Sequence, residues 1–244
     1  MPTYKTPDVY VREIPVFPPS VAEVETAVPA FIGYTERNKF KGKDYQNKPT
    51  MITSLTEYKD IFGEGPGLAI ESVQLADDNS IQEVSFEDRY YLYDSLELFY
   101  ANGGGKCYII SIGKYGEDID REKFGEGLKA LKLEDEPTMI VFPDAALLDA
   151  GELYSLQQAA LQQASDLMDR FVIMDLKVDE DYVADVEGFR SNIGVNNLKY
   201  GAAYTPYLKA SLPRKVYLED LLDDANRSRI RKLDVVELDD DTLV

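Results

Sequence analysis

Short apolar runs suited to buried strands alternate along this chain with stretches whose apolar residues recur at helical spacing. The runs are rich in β-branched or aromatic residues and are bounded by glycine, proline or polar residues. They lie at 27–36, 107–112, 139–142, 171–175 and 199–208, and each is expected to be a buried strand. Strands that alternate with helices predict an α/β layered domain, in which a mixed central sheet is flanked by helices.

The helical stretches carry their own start and stop signals. Ser54 and Glu57 have the spacing of a capping box, and Gly63 is placed to end the helix that they begin. A second apolar stripe runs from Leu92 to Tyr100 and is ended by Asn102 and the glycines after it. Three further helices are predicted at about 121–132, 151–169 and 182–192.

The α/β domain is expected to span residues 27–213. Within it, residues 69–88 hold two short alternating runs around a polar turn, which predicts a surface hairpin. Residues 1–26 precede the domain as an extended, proline-rich arm. After the domain, the charged residues 214–244 contain a candidate strand at 215–220 and an amphipathic stretch.

The arm contains one segment suited to β pairing. Pro7 and Pro15 bracket it, which limits the strand to about six residues, and both of its faces carry an apolar group. Such a strand suits insertion between two partners, because main-chain hydrogen bonds to a neighbouring sheet supply affinity. Composition alone fits an internal edge strand of the same domain equally well. The residues of this candidate subunit-interaction strand are Val9, Tyr10, Val11, Arg12, Glu13 and Ile14.

The residue types exclude several classes of catalytic and metal site. The sequence has no histidine, which excludes Ser-His-Asp and Cys-His catalysis and every zinc site that needs a histidine. Its one cysteine, Cys107, lies in an apolar run, so a buried and inert thiol is expected. A single cysteine also rules out an intrachain disulfide and is compatible with a reducing compartment.

The charge balance disfavours two kinds of partner. The net charge of −19 repels nucleic acid and anionic membrane surfaces, so neither is expected to bind. No run is long and apolar enough to span a bilayer, and the first residues lack the features of a signal peptide. A soluble, acidic protein made in the cytoplasm is therefore expected.

Three motifs suggest ligand sites and fail on their order or spacing. The glycines of 102–106 (NGGGK) follow a helix and precede a strand, whereas a phosphate loop follows a strand and opens a helix. Residues 63–67 (GEGPG) fail the dinucleotide fingerprint for the same reason. In 179–187, Ala184 stands where a calcium loop needs glycine, so an acidic helix start is expected instead. We therefore expect no cofactor, no metal and no catalytic centre.

Three segments of the chain resemble one known family. They are "TPDVYVREIPVFPPSVAEVETAVPAFIGYTE" at 6–36, "FYANGGGKCYIISIG" at 99–113 and "YGAAYTPYLKASLP" at 200–213. In order and character they resemble the contractile tail sheath proteins of phages and related injection machines. The first resembles the family's extended arm and P-x-F-I-G strand, and the second its helix–NGG–CY–strand segment. The third is similar to its tyrosine-rich strand before a C-terminal domain.

The resemblance implies a structural subunit and not an enzyme. Sheath subunits form homo-oligomers around an inner tube, attach to a baseplate, and contract to drive the tube through a target envelope. Their terminal arms pair as β-strands between neighbours, which implies that residues 8–14 are donated to another chain. Assembly in the cytoplasm and a final place in a virion tail or injection particle are implied as well.

The family normally continues into a C-terminal domain, whereas this chain ends at Val244. The expectation is therefore the N-terminal portion of a sheath subunit, or a short variant of one. Two other functions stay open from the sequence: a baseplate or cap component built on the same fold, and an acidic α/β enzyme that uses carboxylates.

Overall fold

The computed structural model describes residues 27–67, 70–75, 81–86, 90–178 and 181–207, together with Ala210 and Leu212. The expected arm, including Val9–Ile14, and the charged segment 214–244 lie outside the described residues. Within them, the elements in chain order are β1 (Pro29–Thr35), β2 (Lys39–Phe40), β3 (Lys43–Asp44), β4 (Thr50–Ile52), α1 (Leu55–Phe62), β5 (Ile70–Leu75), β6 (Ile81–Phe86), α2 (Leu92–Ala101), β7 (Cys107–Lys114), α3 (Arg121–Leu131), β8 (Met139–Val141), α4 (Ala150–Leu167), β9 (Phe171–Asp175), α5 (Tyr182–Asn192) and β10 (Gly201–Tyr204).

One six-stranded sheet organises the domain, in the order β10-β9-β8-β1-β7-β4. The pairs among β10, β9, β8, β1 and β7 are parallel, and β4 adds antiparallel to β7. The α/β class with a mixed sheet flanked by helices is therefore confirmed. The strands predicted at 107–112, 139–142 and 171–175 share this one sheet, as expected.

Helices pack on both faces of the sheet. On the first face, α3 and α4 bury the inward side chains of the central strands, with Ile32, Ile110, Ile140 and Val172 all fully buried. On the second face, α1 and α2 pack over β1, β4 and β7, where residues such as Ile109 are fully buried. A parallel strand buried on both faces needs apolar residues throughout, which accounts for the continuous run in β7.

The predicted caps of α1 are confirmed, with one change of partner. Ser54 Oγ accepts a hydrogen bond from Glu57 N at 3.2 Å, and Gly63 ends the helix with φ +96°. In a capping box the Glu57 carboxylate would accept a hydrogen bond from the N–H of the N-cap residue, Ser54. Here it accepts one from Thr53 N, one residue earlier, at 2.9 Å.

Two strand predictions need correction. The run at 199–208 was expected to be a buried strand, but β10 is an edge strand and Tyr204 is 59% exposed. The prediction was wrong because among the described strands β10 pairs only with β9. The strand predicted at 139–142 ends at Val141, and Pro143 begins a 3₁₀ helix that ends at Leu147.

Two features of the hairpin and loop regions complete the fold. β5 and β6 pair antiparallel inside the region where a hairpin was predicted. The basic stretch after β1 contains β2 and β3, and β4 follows at its end. β4 was missed because it has only three residues, and its pairing with β7 comes from tertiary structure.

Candidate functional site at the carboxyl ends of the central strands

The chain reverses its winding between β1 and β8. It leaves β1 towards α1 on the second face of the sheet and leaves β8 towards α4 on the first face. In open α/β sheets, ligands bind outside the carboxyl ends of strands at such a reversal, where the loops diverge and leave a crevice. This position is therefore where the fold would place a binding site.

The carboxylate of Asp144 occupies this position. Asp144 follows β8 directly, is 0% exposed, and its Oδ2 accepts a hydrogen bond from Tyr34 N at 2.7 Å. Its Oδ1 accepts from Tyr91 N at 2.5 Å and from Leu92 N at 2.8 Å. The amino end of α2 thus donates to Asp144 as a helix start donates to a bound anion. The chain fills its own crevice with one of its own carboxylates.

Gly33 in β1 makes room for this carboxylate. A Cβ atom at position 33 would lie 2.4 Å from Asp144 Oδ2 and 3.2 Å from Leu92 Cβ. A glycine inside a strand often marks such a close approach by another group. The glycine of the P-x-F-I-G segment therefore has a structural cause within this chain.

Two opposing effects determine the ionisation of Asp144. Burial, the larger one, raises the pKa of the carboxyl to about 6, and the three backbone N–H donors lower it. A raised pKa in a crevice is a common mark of a functional acid. Here the side chain has no exposed surface, so it contacts no solvent-borne substrate in this conformation.

Buried tyrosines close the rest of the crevice. Tyr34 Oη donates to Asp118 O and accepts from Asp120 N, each at 2.9 Å. Tyr90 Oη donates to Glu117 O and accepts from Gly116 N, each at 2.7 Å. Burial raises the pKa of Tyr34 to about 12, so this hydroxyl stays protonated near neutral pH. These side chains tie the loop after β7 across the end of β1.

A second acid lies at the carboxyl end of β9. Asp175 is partly buried on the second face of the sheet, and burial alone raises the pKa of its carboxyl to about 6. An unfolded aspartate titrates near 3.8. The folded state therefore holds its proton to higher pH than the unfolded state, and Asp175 lowers stability as the pH rises from about 4 to above 6.

Asp175→Asn should therefore stabilise the protein in a pH-dependent way. At pH 7 we expect the free energy of unfolding to rise by about 1–3 kcal/mol, since each pKa unit corresponds to about 1.4 kcal/mol. At pH 4, close to the pKa of the unfolded carboxyl, most of the gain should be lost. Urea unfolding at several pH values measures it, with the exposed Asp135→Asn as a control for the general loss of negative charge. A gain that is the same at pH 4 and pH 7 would contradict this prediction.

Cys107 has the character predicted for it. The residue is 0% exposed at the start of β7, and its Sγ lies 3.3 Å from Tyr100 Oη. Burial raises the pKa of the thiol to about 11, which suppresses the reactive thiolate. The predicted burial of Cys107 is thus confirmed, and its lack of reactivity stays a prediction.

The glycine and acidic motifs have structural roles. Gly103, with φ +83°, lies in the turn between α2 and β7, and Gly104 N donates to Phe99 O at 2.9 Å. In the acidic stretch, the Asp181 side chain accepts from the first backbone N–H groups of α5, as predicted for a helix start. Across the part of the chain that the structure describes, no group of three His, Cys, Asp or Glu side chains could hold a metal ion.

Two comparisons with known proteins were negative. No protein-family model matches the sequence, and no curated protein matches it either. Among the helices of the described residues, none combines the length and the hydropathy that a membrane crossing requires.

Asp144 is the residue that sequence reasoning missed. Its available signal was an aspartate placed directly after an apolar strand and Pro143, where the chain leaves the sheet. The predicted interaction residues Val9–Ile14 lie outside the described residues, so their role stays a prediction.

Proposed function

We propose that this chain is a structural subunit of a contractile tail sheath. In this role it polymerises with neighbouring copies around an inner tube, connects to a baseplate, and contracts to drive the tube through a target envelope. The particle is a phage tail or a related injection machine. The arm residues Val9–Ile14 pair as a strand with another subunit.

The observation that carries the proposal is where two of the resembling segments lie in the fold. The P-x-F-I-G segment is β1 and the CYIISIG segment is β7, and the two pair in parallel at the centre of the sheet. Two resembling segments that are distant in the sequence but adjacent in the structure support a resemblance of the whole domain. Two isolated short motifs would not be expected to pair with each other.

The crevice at Asp144 supports a structural role over a catalytic one. The position where an α/β fold would bind a ligand is filled by a carboxylate with three backbone donors and by tyrosines tied to backbone groups. Binding a substrate there would require breaking these hydrogen bonds, each of which contributes about 1.5–3 kcal/mol where the acceptor is charged.

The ends of the sheet support interchain pairing. β4 and β10 are the terminal strands, and strand addition by another chain needs free main-chain groups at such an edge. β10 is rich in small residues, with Gly201, Ala202 and Ala203, so an incoming strand meets little steric obstruction.

Removal of residues 1–15 tests the proposal. We expect the isolated domain to keep its melting temperature, whereas electron micrographs of the natural-length protein should show tubes that disappear on deletion. Val11→Pro should also abolish assembly, because proline removes a backbone donor from the ladder. The matched Val11→Thr variant keeps strand propensity and should still assemble. If the deletion unfolds the isolated domain, the arm is an internal strand and the proposed pairing is wrong.

A further inference from the structure

Among the described residues, no helix packs over half of the second face of the sheet. There, Met139, Val141, Phe171, Ile173 and Ala202 project from β8, β9 and β10 and are all partly exposed; we call these five residues the open face. On the same strands, the residues of the first face are buried beneath α4. Among the described helices, α1 and α2 pack only over the other half of the second face.

An apolar face of this kind is a site for a covering element. Parallel strands are normally covered on both sides, and a half-sheet of branched and aromatic side chains left in water forgoes the free energy of burial. Only Val141, at the margin of the open face, packs against the cluster beneath α1 and α2. None of the described helices packs over the remaining four residues, so their burial requires another segment.

The sequence that follows β10 is the candidate for this covering segment. β10 borders the open face, and the sequence continues from it for residues 208–244. Everywhere else from β7 onwards, each strand is followed by a helix, and the first face is already occupied by α3 and α4, with α5 packed against α4. A segment that returns from β10 onto the sheet finds free apolar surface only on the second face.

The sequence after β10 contains a segment of the required length and pattern. A helix of ten residues is about 15 Å long, and three neighbouring strands span about 10 Å, so one short helix covers the open face. Within 216–225, apolar residues recur at helical spacing while acidic residues occupy the opposite side. At helical spacing the apolar side holds Tyr217, Leu218, Leu221, Leu222 and Ala225, and Val216 is the one apolar residue on the acidic side.

We propose that residues 216–225 of the same chain cover the open face as an amphipathic helix. The cover completes the second helical layer and links the charged C-terminal segment to the sheet. This inference does not depend on the sheath proposal, because it concerns packing within one chain.

Disulfide trapping in the full-length protein tests this contact. In the Ile173→Cys/Leu221→Cys variant, mild oxidation with copper phenanthroline should join the two positions within one monomer. In the matched Ile173→Cys/Asp223→Cys variant, the second cysteine lies on the polar side, and we expect at least about fivefold less product. The native Cys107 is fully buried and remains in both variants.

The other possible occupants give different products. A disulfide-linked dimer from Ile173→Cys/Leu221→Cys would mean that a second copy covers the face. Equal disulfide yields from the two variants, or no product in either, would exclude residues 216–225 as the cover. A strand at 215–220 paired to the edge of β10 would exclude it as well. Each of these results overturns the proposal.

A second measurement in the full chain uses no cysteine. Replacing Leu218 and Leu222 together by aspartate should uncover the open face and raise the fluorescence of a bound hydrophobic dye several-fold, while far-UV circular dichroism shows that the domain stays folded. Glu219→Lys, on the polar side of the same segment, should leave dye binding unchanged. Unchanged dye binding in the double variant would also overturn the proposal.

Discussion

Replacing Asp144 by alanine should lower the free energy of unfolding by about 3–5 kcal/mol. The change removes the carboxylate that accepts hydrogen bonds from Tyr34 N, Tyr91 N and Leu92 N, at a cost of about 1–3 kcal/mol for each bond. Removal of the buried charge offsets part of this, since a pKa raised from 3.8 to about 6 corresponds to at most about 3 kcal/mol. The net loss is still large for a single substitution.

Urea unfolding at pH 7 measures this loss, and two variants make it specific. Asp144→Asn keeps one oxygen for the amino end of α2 but turns an amide donor towards Tyr34 N, so it should cost about half as much. Asp135→Ala removes an exposed carboxylate before β8 and should change stability by less than about 0.5 kcal/mol. If Asp144→Ala costs no more than Asp135→Ala, the buried carboxylate does not hold the crevice together.

Gly33→Ala should destabilise the domain by a comparable amount, about 3–5 kcal/mol. The added methyl group would lie 2.4 Å from Asp144 Oδ2 and 3.2 Å from Leu92 Cβ, so the carboxylate must move away from its donors. Overpacking costs about 1–3 kcal/mol, and the lost hydrogen bonds add to it. Gly125→Ala in α3 is the matched control. A Cβ there has no heavy atom within 4 Å, and helical propensity predicts a gain of about 0.4–1 kcal/mol.

A double-mutant cycle tests whether Asp144 is the cause. In the Asp144→Ala background the obstructing carboxylate is gone, so Gly33→Ala should cost less than about 1 kcal/mol. An unchanged cost in the two backgrounds would show that the glycine is required for another reason, such as its contact with Leu92.

Some features of this fold are determined by neighbouring residues, and others only by the tertiary structure. The strand at 107–112 and the cap at Ser54 were predictable because apolar periodicity and capping act over a few neighbouring residues. The exposure of β10 was not, because an edge position depends on what pairs beyond it. The glycine inside β1 was visible in the sequence, but its cause is Asp144, far along the chain, and no local pattern connects the two.

The burial of Asp144 is likewise not visible in the local sequence. An aspartate after Pro143 resembles a common turn residue, and turn residues are usually solvated. Its burial arises only when β1, the start of α2 and the turn after β8 meet, and each of these segments satisfies local rules without it. A buried acid of this kind becomes predictable only when the sheet order is known.

The place of β1 in the sheet has a mechanical consequence. Residues 1–26 precede β1 in the sequence, and β1 is hydrogen-bonded in parallel on both sides, to β7 and to β8. A pull along the axis of β1 therefore loads two hydrogen-bond ladders in shear at the same time, whereas the same pull on an edge strand would load only one. Forced unfolding is governed by the height of the unfolding barrier. A pull on the chain before β1 therefore reaches the centre of the domain before any of its outer strands is loaded.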